Sequence, residues 1–222
     1  MVFFCDFDGT ITEVDVVDTF LEKFADKEYL EIEERWLKGE ISSLECLQKQ
    51  ISLVKNVDKN TIDEFLNTVK IDPFFKDFVN LIKKYNGKVV ILSDGFRYFI
   101  ERILNNYGIK VDAILSNELV INDKTLEVVF PYQNPFCQAG MGNCKCKHSE
   151  NQICRNKTFY IGDGRSDFCV ASKFETVFAK GKLYQYLKSI GKNPVKIENF
   201  KDVINYLKLE EFLNGRKRVA ST

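Results

Sequence analysis

Three short runs in this chain combine carboxylates, hydroxyls and glycines in a way that suits phosphate chemistry. They are Asp6-Phe7-Asp8-Gly9-Thr10, Ser93-Asp94-Gly95 and Gly162-Asp163-Gly164-Arg165-Ser166-Asp167. If the runs converge, Asp6, Asp8, Asp163 and Asp167 share one crevice, where four carboxylates cannot all stay ionised without a counter-charge. Oxygen ligands without imidazole or thiolate favour a hard cation, and a site that keeps water and takes a phosphate oxygen suits Mg2+. Glycines such as Gly9 and Gly95 let backbone N–H groups approach an anion, and Ser93 adds a hydroxyl donor. Taken singly, each run also fits an ordinary turn, cap or loop. Their joint arrangement, each run closing an expected strand, points to a phosphate monoester as ligand.

The elements that must position these runs follow from the apolar pattern. Residues 2–6 read as a short buried strand, followed by strands at 88–93, 111–116, 157–162 and 176–179 and a hairpin over 118–130 around Asn122-Asp123. Helices are expected at 96–107, 166–173, 183–190 and 200–213. Between the first two strands, apolar residues recur at helical spacing and read as four helices, the last opening at Asp72-Pro73. Strands alternating with helices predict an α/β fold, a Rossmann-like parallel sheet covered on both faces. The helical stretch is too long for a simple crossover and is expected to form an inserted cap over residues 15–86. Residues 1–14 and 87–214 then form the catalytic core, and residues 215–222 a flexible tail.

Composition narrows the classes. At 222 residues, with 45% hydrophobic and 29% charged, the chain can bury a full core and is not of the disordered type. Lys plus Arg equals Asp plus Glu at 32 each, so no global charge indicates nucleic acid or an anionic membrane. No run approaches a membrane span, and Asp6 interrupts the amino-terminal apolar stretch where a signal peptide would continue. Seven cysteines in a chain of this size fit a reducing, cytoplasmic setting. Nothing in the pattern specifies an oligomeric state.

With these motifs in this order, the sequence resembles the haloacid dehalogenase superfamily. Asp6 to Thr10 looks like the family's first motif, Ser93 like the second and Gly162 to Asp167 like the fourth, while the helical insertion is similar to the family's small cap. Ser93-Asp94-Gly95-Phe96 and the fourth-motif run resemble the phosphoserine phosphatase-like branch. The resemblance implies Mg2+-dependent phosphoryl transfer through an aspartyl phosphate. Asp6 would be the nucleophile, and Asp8 the acid and base that also lends its backbone carbonyl to the metal. Asp6 and Asp163 would bind Mg2+, with Asp167 holding the metal shell. Gly9, Ser93, Asp94, Gly95 and a third-motif lysine would surround the phosphate. Lys147 and Lys145 both stand before the fourth-motif strand, and Lys147 is favoured because it follows a cysteine just before the expected helix.

The run Arg35-Trp36-Leu37-Lys38-Gly39-Glu40-Ile41-Ser42 and the cysteine-rich loop look like a narrower group, the methionine-salvage phosphatases acting on a methylthiopentenyl phosphate. Glu33 stands where the phosphoserine enzymes carry a carboxylate-binding arginine, which disfavours phosphoserine. Asp94 instead resembles the phosphocholine and phosphoethanolamine phosphatases. Asp15 matches a substrate-sensing position, or is an N-cap, and with Asp94 would suit an amine. The expected ligand is a small phosphorylated metabolite. Alternatives are a phosphotransferase and a non-catalytic phospholigand-binding protein.

Cys137, Cys144, Cys146 and Cys154 are candidates for structural Zn2+, though their spacing contains no CxxC knuckle. His148 reads as a helix-start residue without a catalytic part, and Cys5 and Cys169 as core.

Overall fold

The computed structural model describes residues 1–137, 140–153 and 157–219. Its strands are β1 (Val2–Cys5), β2 (Lys88–Phe96), β3 (Ala113–Asn122), β4 (Thr125–Val129), β5 (Thr158–Gly162), β6 (Thr176–Ala179) and β7 (Val195–Lys196). They form one seven-stranded sheet in the order β4-β3-β2-β1-β5-β6-β7. All pairs are parallel except β3 with β4, the expected hairpin, whose turn holds Asp123 at a φ of 54°. The expected strand at 111–116 and the first hairpin strand are one continuous element, β3. The short edge strand β7 was not anticipated, because two residues carry no alternation to read.

β1 lies at the centre and is buried on both faces. Successive side chains on a strand point to opposite faces, and they divide the core accordingly. Phe3 and Cys5 join one apolar cluster, while Val2 and Phe4 join another on the opposite face. Phe3 stacks on Phe159 of β5 with ring centroids 4.4 Å apart, and Phe4 meets Phe174 edge-on at 5.7 Å. This continuous apolar run is what a parallel central strand requires.

Five helices lie between β1 and β2: α1 (Val16–Phe24), α2 (Tyr29–Leu37), α3 (Ser43–Ser52), α4 (Lys59–Leu66) and α5 (Phe75–Lys84). The sequence pattern merged the first two. The chain breaks there because Ala25 turns extended and bridges to Val54, with the Asp26 amide donating to the Leu53 carbonyl. α5 packs against the sheet side, not with α2 and α3: Phe78 meets Phe3 at 5.2 Å, and Phe75 meets Phe200 at 4.9 Å. Chain order alone had grouped α5 with the inserted helices. Phe20 of α1 contacts Phe65 of α4 and Phe99 of the following helix, joining the insertion to the core.

The remaining helices are α6 (Arg97–Asn106), α7 (Lys145–Ile153), α8 (Phe168–Ala171), α9 (Gly181–Ser189) and α10 (Phe200–Val219), with a 3-10 turn at Arg165–Asp167. The helical backbone of α10 runs through Gly215 to Val219. Among the described residues, no helix is long and apolar enough to cross a membrane.

Candidate active site

The sheet register brings the three runs together. Cys5 pairs with Ile91 on one side and with Ile161 on the other, so Asp6, Ser93 and Asp163 emerge at the same edge of adjacent strands. This is the carboxyl edge of a parallel sheet, where such folds place their ligands. Asp6, Asp163 and Asp167 each offer an oxygen, and these atoms lie within 4.8 Å of one another.

Each carboxylate is held by a local device. Thr10 Oγ1 donates to Asp163 Oδ1 at 2.8 Å. Asp167 Oδ2 accepts from the amides of Asp163 and Gly164, and its Oδ1 accepts from Tyr160 Oη at 2.6 Å. Asp8 Oδ1 accepts from the Val16 amide at 3.0 Å, and Asp8 Oδ2 accepts from Ser93 Oγ at 3.2 Å. Ser93 Oγ in turn accepts from the Gly95 amide at 2.8 Å. Gly95 is small of necessity, since a Cβ there would stand 2.7 Å from Asp8 Oδ2. Gly9 has a φ of +69°, and its missing Cβ leaves room for Asp163.

The lysine at the centre is Lys145, and this corrects the expectation of Lys147. Lys145 Nζ is buried and donates to Asp6 Oδ1 at 2.8 Å, Asp167 Oδ1 at 2.8 Å and Ser166 Oγ at 3.1 Å. Its distance to Asp94 Oδ2 is 3.6 Å. Lys147 is exposed. Two residues along a helix turn the side chain by about 200°, so with Lys145 facing inward Lys147 faces away.

Burial and the like charges of Asp167 and Asp163 push Asp6 well above the usual carboxylate range, against the pull of Lys145. Asp163 is raised by burial and by Asp167. Burial, and next the charge of Asp15, lift Asp8 to about 8. Asp94 is raised to about 6 by burial. Three clustered carboxylates thus face one ammonium, an excess that a divalent cation neutralises. Oxygen donors only, with raised affinity for a proton, are the donor set of a hard cation. The residues fit Mg2+.

Asp15 serves as the N-cap of α1, accepting from the Asp18 amide at 2.9 Å. Both Asp94 side-chain oxygens are buried without a hydrogen-bond partner. Asn143 was missed in the sequence, where nothing marks it. It is fully buried, and its Nδ2 donates to the carbonyls of Ser93 at 2.8 Å and Leu115 at 2.7 Å. Its Oδ1 is then left to accept from His148 Nε2 at 2.9 Å, so His148 acts as a brace behind the site.

Among the described residues, Cys137, Cys144 and Cys146, expected with Cys154 to hold Zn2+, do not converge on a site. Among the described residues, the only converging group of three acidic, His or Cys ligand atoms is the aspartate cluster. Cys144 accepts from Asn134, Cys146 contacts Cys169, and Cys154 lies outside the described residues. Cys5 is buried as expected, but Cys169 is exposed, because α8 turns it outward.

Beside Lys145 opens a cavity of about 600 Å3 between the α2–α3 connection and the core, walled by Trp36, Ile41, Met141, Phe168 and Arg165. Arg165 Cζ lies 5.8 Å from the centre of the Trp36 ring, a cation–π contact across the gap.

The parallel α/β fold is that of a hydrolase, and the chain belongs to the haloacid dehalogenase-like hydrolase family, which it matches over residues 3–172. Among curated relatives, a 2-hydroxy-3-keto-5-methylthiopentenyl-1-phosphate phosphatase from Geobacillus kaustophilus is 30% identical, covering 96% of this chain and 98% of its own. One of the same name from an Exiguobacterium species is 28% identical, covering 92% of this chain and 95% of its own. Among solved structures, a substrate-bound phosphoserine phosphatase complex superposes with a TM-score of 0.68 at 19% identity, covering 92% of this chain and 97% of its own. A phospho-aspartyl intermediate analogue of phosphoserine phosphatase gives 0.67 at 20% identity, over the same shares.

Proposed function

We propose that this chain is a Mg2+-dependent phosphatase that hydrolyses a small phosphorylated metabolite through an aspartyl phosphate on Asp6. The observation that carries this reading is the Lys145 ammonium, 2.8 Å from Asp6 and buried among the three carboxylates that would hold the metal. Asp6 and Asp163 would bind Mg2+, with Asp167 fixing them, and bound Mg2+ would supply Lewis-acid stabilisation of the transferring phosphoryl group. The Asp6 carboxylate attacks phosphorus in line with the leaving oxygen. Asp8, lifted to about 8, carries a proton near neutrality and gives it to the departing alcohol. As a carboxylate it then takes a proton from the water that attacks the phospho-aspartate, releasing inorganic phosphate. Ser93, Lys145 and the amides near Gly9 and Gly95 stabilise the phosphoryl oxygens.

The names of the relatives support a methylthiopentenyl phosphate as substrate, and so does the cavity wall. Trp36 and Ile41 belong to the run that suggested that group, and with Met141 and Phe168 they offer apolar surface in a wall that also carries Glu40, Glu45 and Arg165. A second reading rests on Asp94, whose carboxylate, paired at 3.6 Å with Lys145, is the acidic group that would meet an amine-bearing phosphate such as phosphocholine or phosphoethanolamine.

Phosphate release from p-nitrophenyl phosphate and from a metabolite panel tests both readings. Wild-type turnover that needs Mg2+ and disappears in Asp6→Asn is expected, with the enediol phosphate preferred over phosphocholine. Turnover persisting in Asp6→Asn would overturn the mechanism. Transfer to an added alcohol in place of release would make the chain a phosphotransferase, and binding without turnover a phospholigand-binding protein.

A further inference from the structure

Cys146 and Cys169 bring their sulfur atoms to 3.1 Å across 23 residues of chain, between α7 and α8. Both are free thiols. Cys169 is exposed and Cys146 half-buried, so a small oxidant reaches the pair, whereas Cys5, Cys46 and Cys144 are buried. A disulfide holds its sulfurs about 2.05 Å apart, so closing this pair draws them together by about 1 Å.

The neighbours of the pair give that movement a consequence. Cys146 directly follows Lys145, and Cys169 lies two residues after Asp167. Each partner of the Lys145–Asp167 ion pair, at 2.8 Å, thus has one of the two thiols one or two residues along its own stretch of chain. We propose that Cys146 and Cys169 form an oxidisable dithiol whose closure to a disulfide shifts Lys145 and lowers turnover. The loss of turnover rests on the role given to Lys145 above, whereas formation of the bond does not.

With hydrogen peroxide as oxidant the chemistry balances. The exposed Cys169 sulfur attacks one peroxide oxygen, the O–O bond breaks, and one water leaves with the thiol proton, giving a sulfenic acid. The Cys146 sulfur then attacks the Cys169 sulfur, the S–O bond breaks, and the second water carries away the Cys146 proton. Two thiols are oxidised by two electrons and one peroxide is reduced to two waters. A dithiol reductant reverses the bond by exchange.

The test treats purified full-length chain with hydrogen peroxide, blocks remaining thiols, digests without reductant and weighs the peptides. A linked pair containing Cys146 and Cys169 is expected, two hydrogens lighter than the separate peptides. Turnover should fall at least about tenfold, since roughly 1 Å of misplacement suffices for such losses, and should return with dithiothreitol. Cys169→Ser and Cys169→Ala should form no link and show the same turnover before and after peroxide. Absence of the link, or a link from either residue to Cys154 instead, overturns the pairing. A link formed without loss of turnover overturns the switch. A chain inactive before oxidation overturns the phosphatase reading and the switch with it, while the peptide masses still decide the pair.

Discussion

The Lys145 ammonium lies 2.8 Å from the Asp6 carboxylate, although 139 residues of chain separate them. Both groups are almost wholly buried, with side chains 3% and 7% exposed. In that setting each stabilises the charge of the other, and removing one leaves the other buried and unpaired. Lys145→Ala is therefore expected to lower turnover on the order of 10²-fold or more, with the larger part in kcat. Lys147→Ala, on the exposed side of the same helix, should change it less than about twofold. Steady-state kinetics of both variants check the ranking, and the reverse order would return the role to Lys147.

Asp8 gives a pH dependence with a definite sign. Its folded-state affinity for a proton, lifted to about 8 by burial, exceeds that of a carboxylate in an unfolded chain, near 4. Between those values the folded chain binds more protons than the unfolded chain, so Asp8 makes stability fall as pH rises. Thermal unfolding in EDTA should show a higher midpoint at pH 5 than at pH 8, and Asp8→Asn should flatten the difference. The same variant should lose turnover by about 10²- to 10⁴-fold, the usual span for a lost general acid and base. Near-normal turnover would remove Asp8 from proton transfer.

Metal binding has a readout apart from catalysis. A cation that binds the folded aspartate cluster and not the unfolded chain stabilises the fold by mass action, about 2.7 kcal/mol at a hundredfold excess over its dissociation constant. The melting midpoint should rise with Mg2+ and fall back with EDTA. In Asp163→Asn the rise should shrink or vanish, because one of the three converging ligands is lost. A wild-type midpoint indifferent to Mg2+ would sink the metal assignment.

Trp36 is the chain's one tryptophan, so its fluorescence reports the contact with Arg165 without interference. Exposed cation–π contacts contribute about 0.5 to 1 kcal/mol. Arg165→Ala should shift the emission of Trp36 and raise KM about two- to fivefold, with kcat much less affected. Unchanged emission would show that the two residues do not meet in solution.

Much of this site was legible in the sequence because its parts sit at strand ends, and strand ends are marked by apolar runs stopping at Asp, Ser or Gly. Asp6, Ser93 and Asp163 were found that way, and the register of β1 with β2 and β5 aligns them as parallel pairing requires. The join between α1 and α2 was not legible, since Ala25 leaves the helix only because Val54 bridges to it from elsewhere in the chain. Asn143 and Tyr160 were equally silent. Their value lies in hydrogen bonds to Ser93 and Asp167, partners remote from Asn143 or on the far side of a turn from Tyr160.

By itself, then, the sequence determined the alternation of strands and helices and the acidic residues that end the strands, because hydrophobic periodicity and local turn chemistry are properties of neighbours. Only the tertiary structure decided between Lys145 and Lys147, left the cysteine loop without a metal centre among the described residues, and set Cys146 against Cys169. Those outcomes depend on the rotational phase of α7 and on how α8 packs beside it, and helix phase is fixed by the surface a helix lands on.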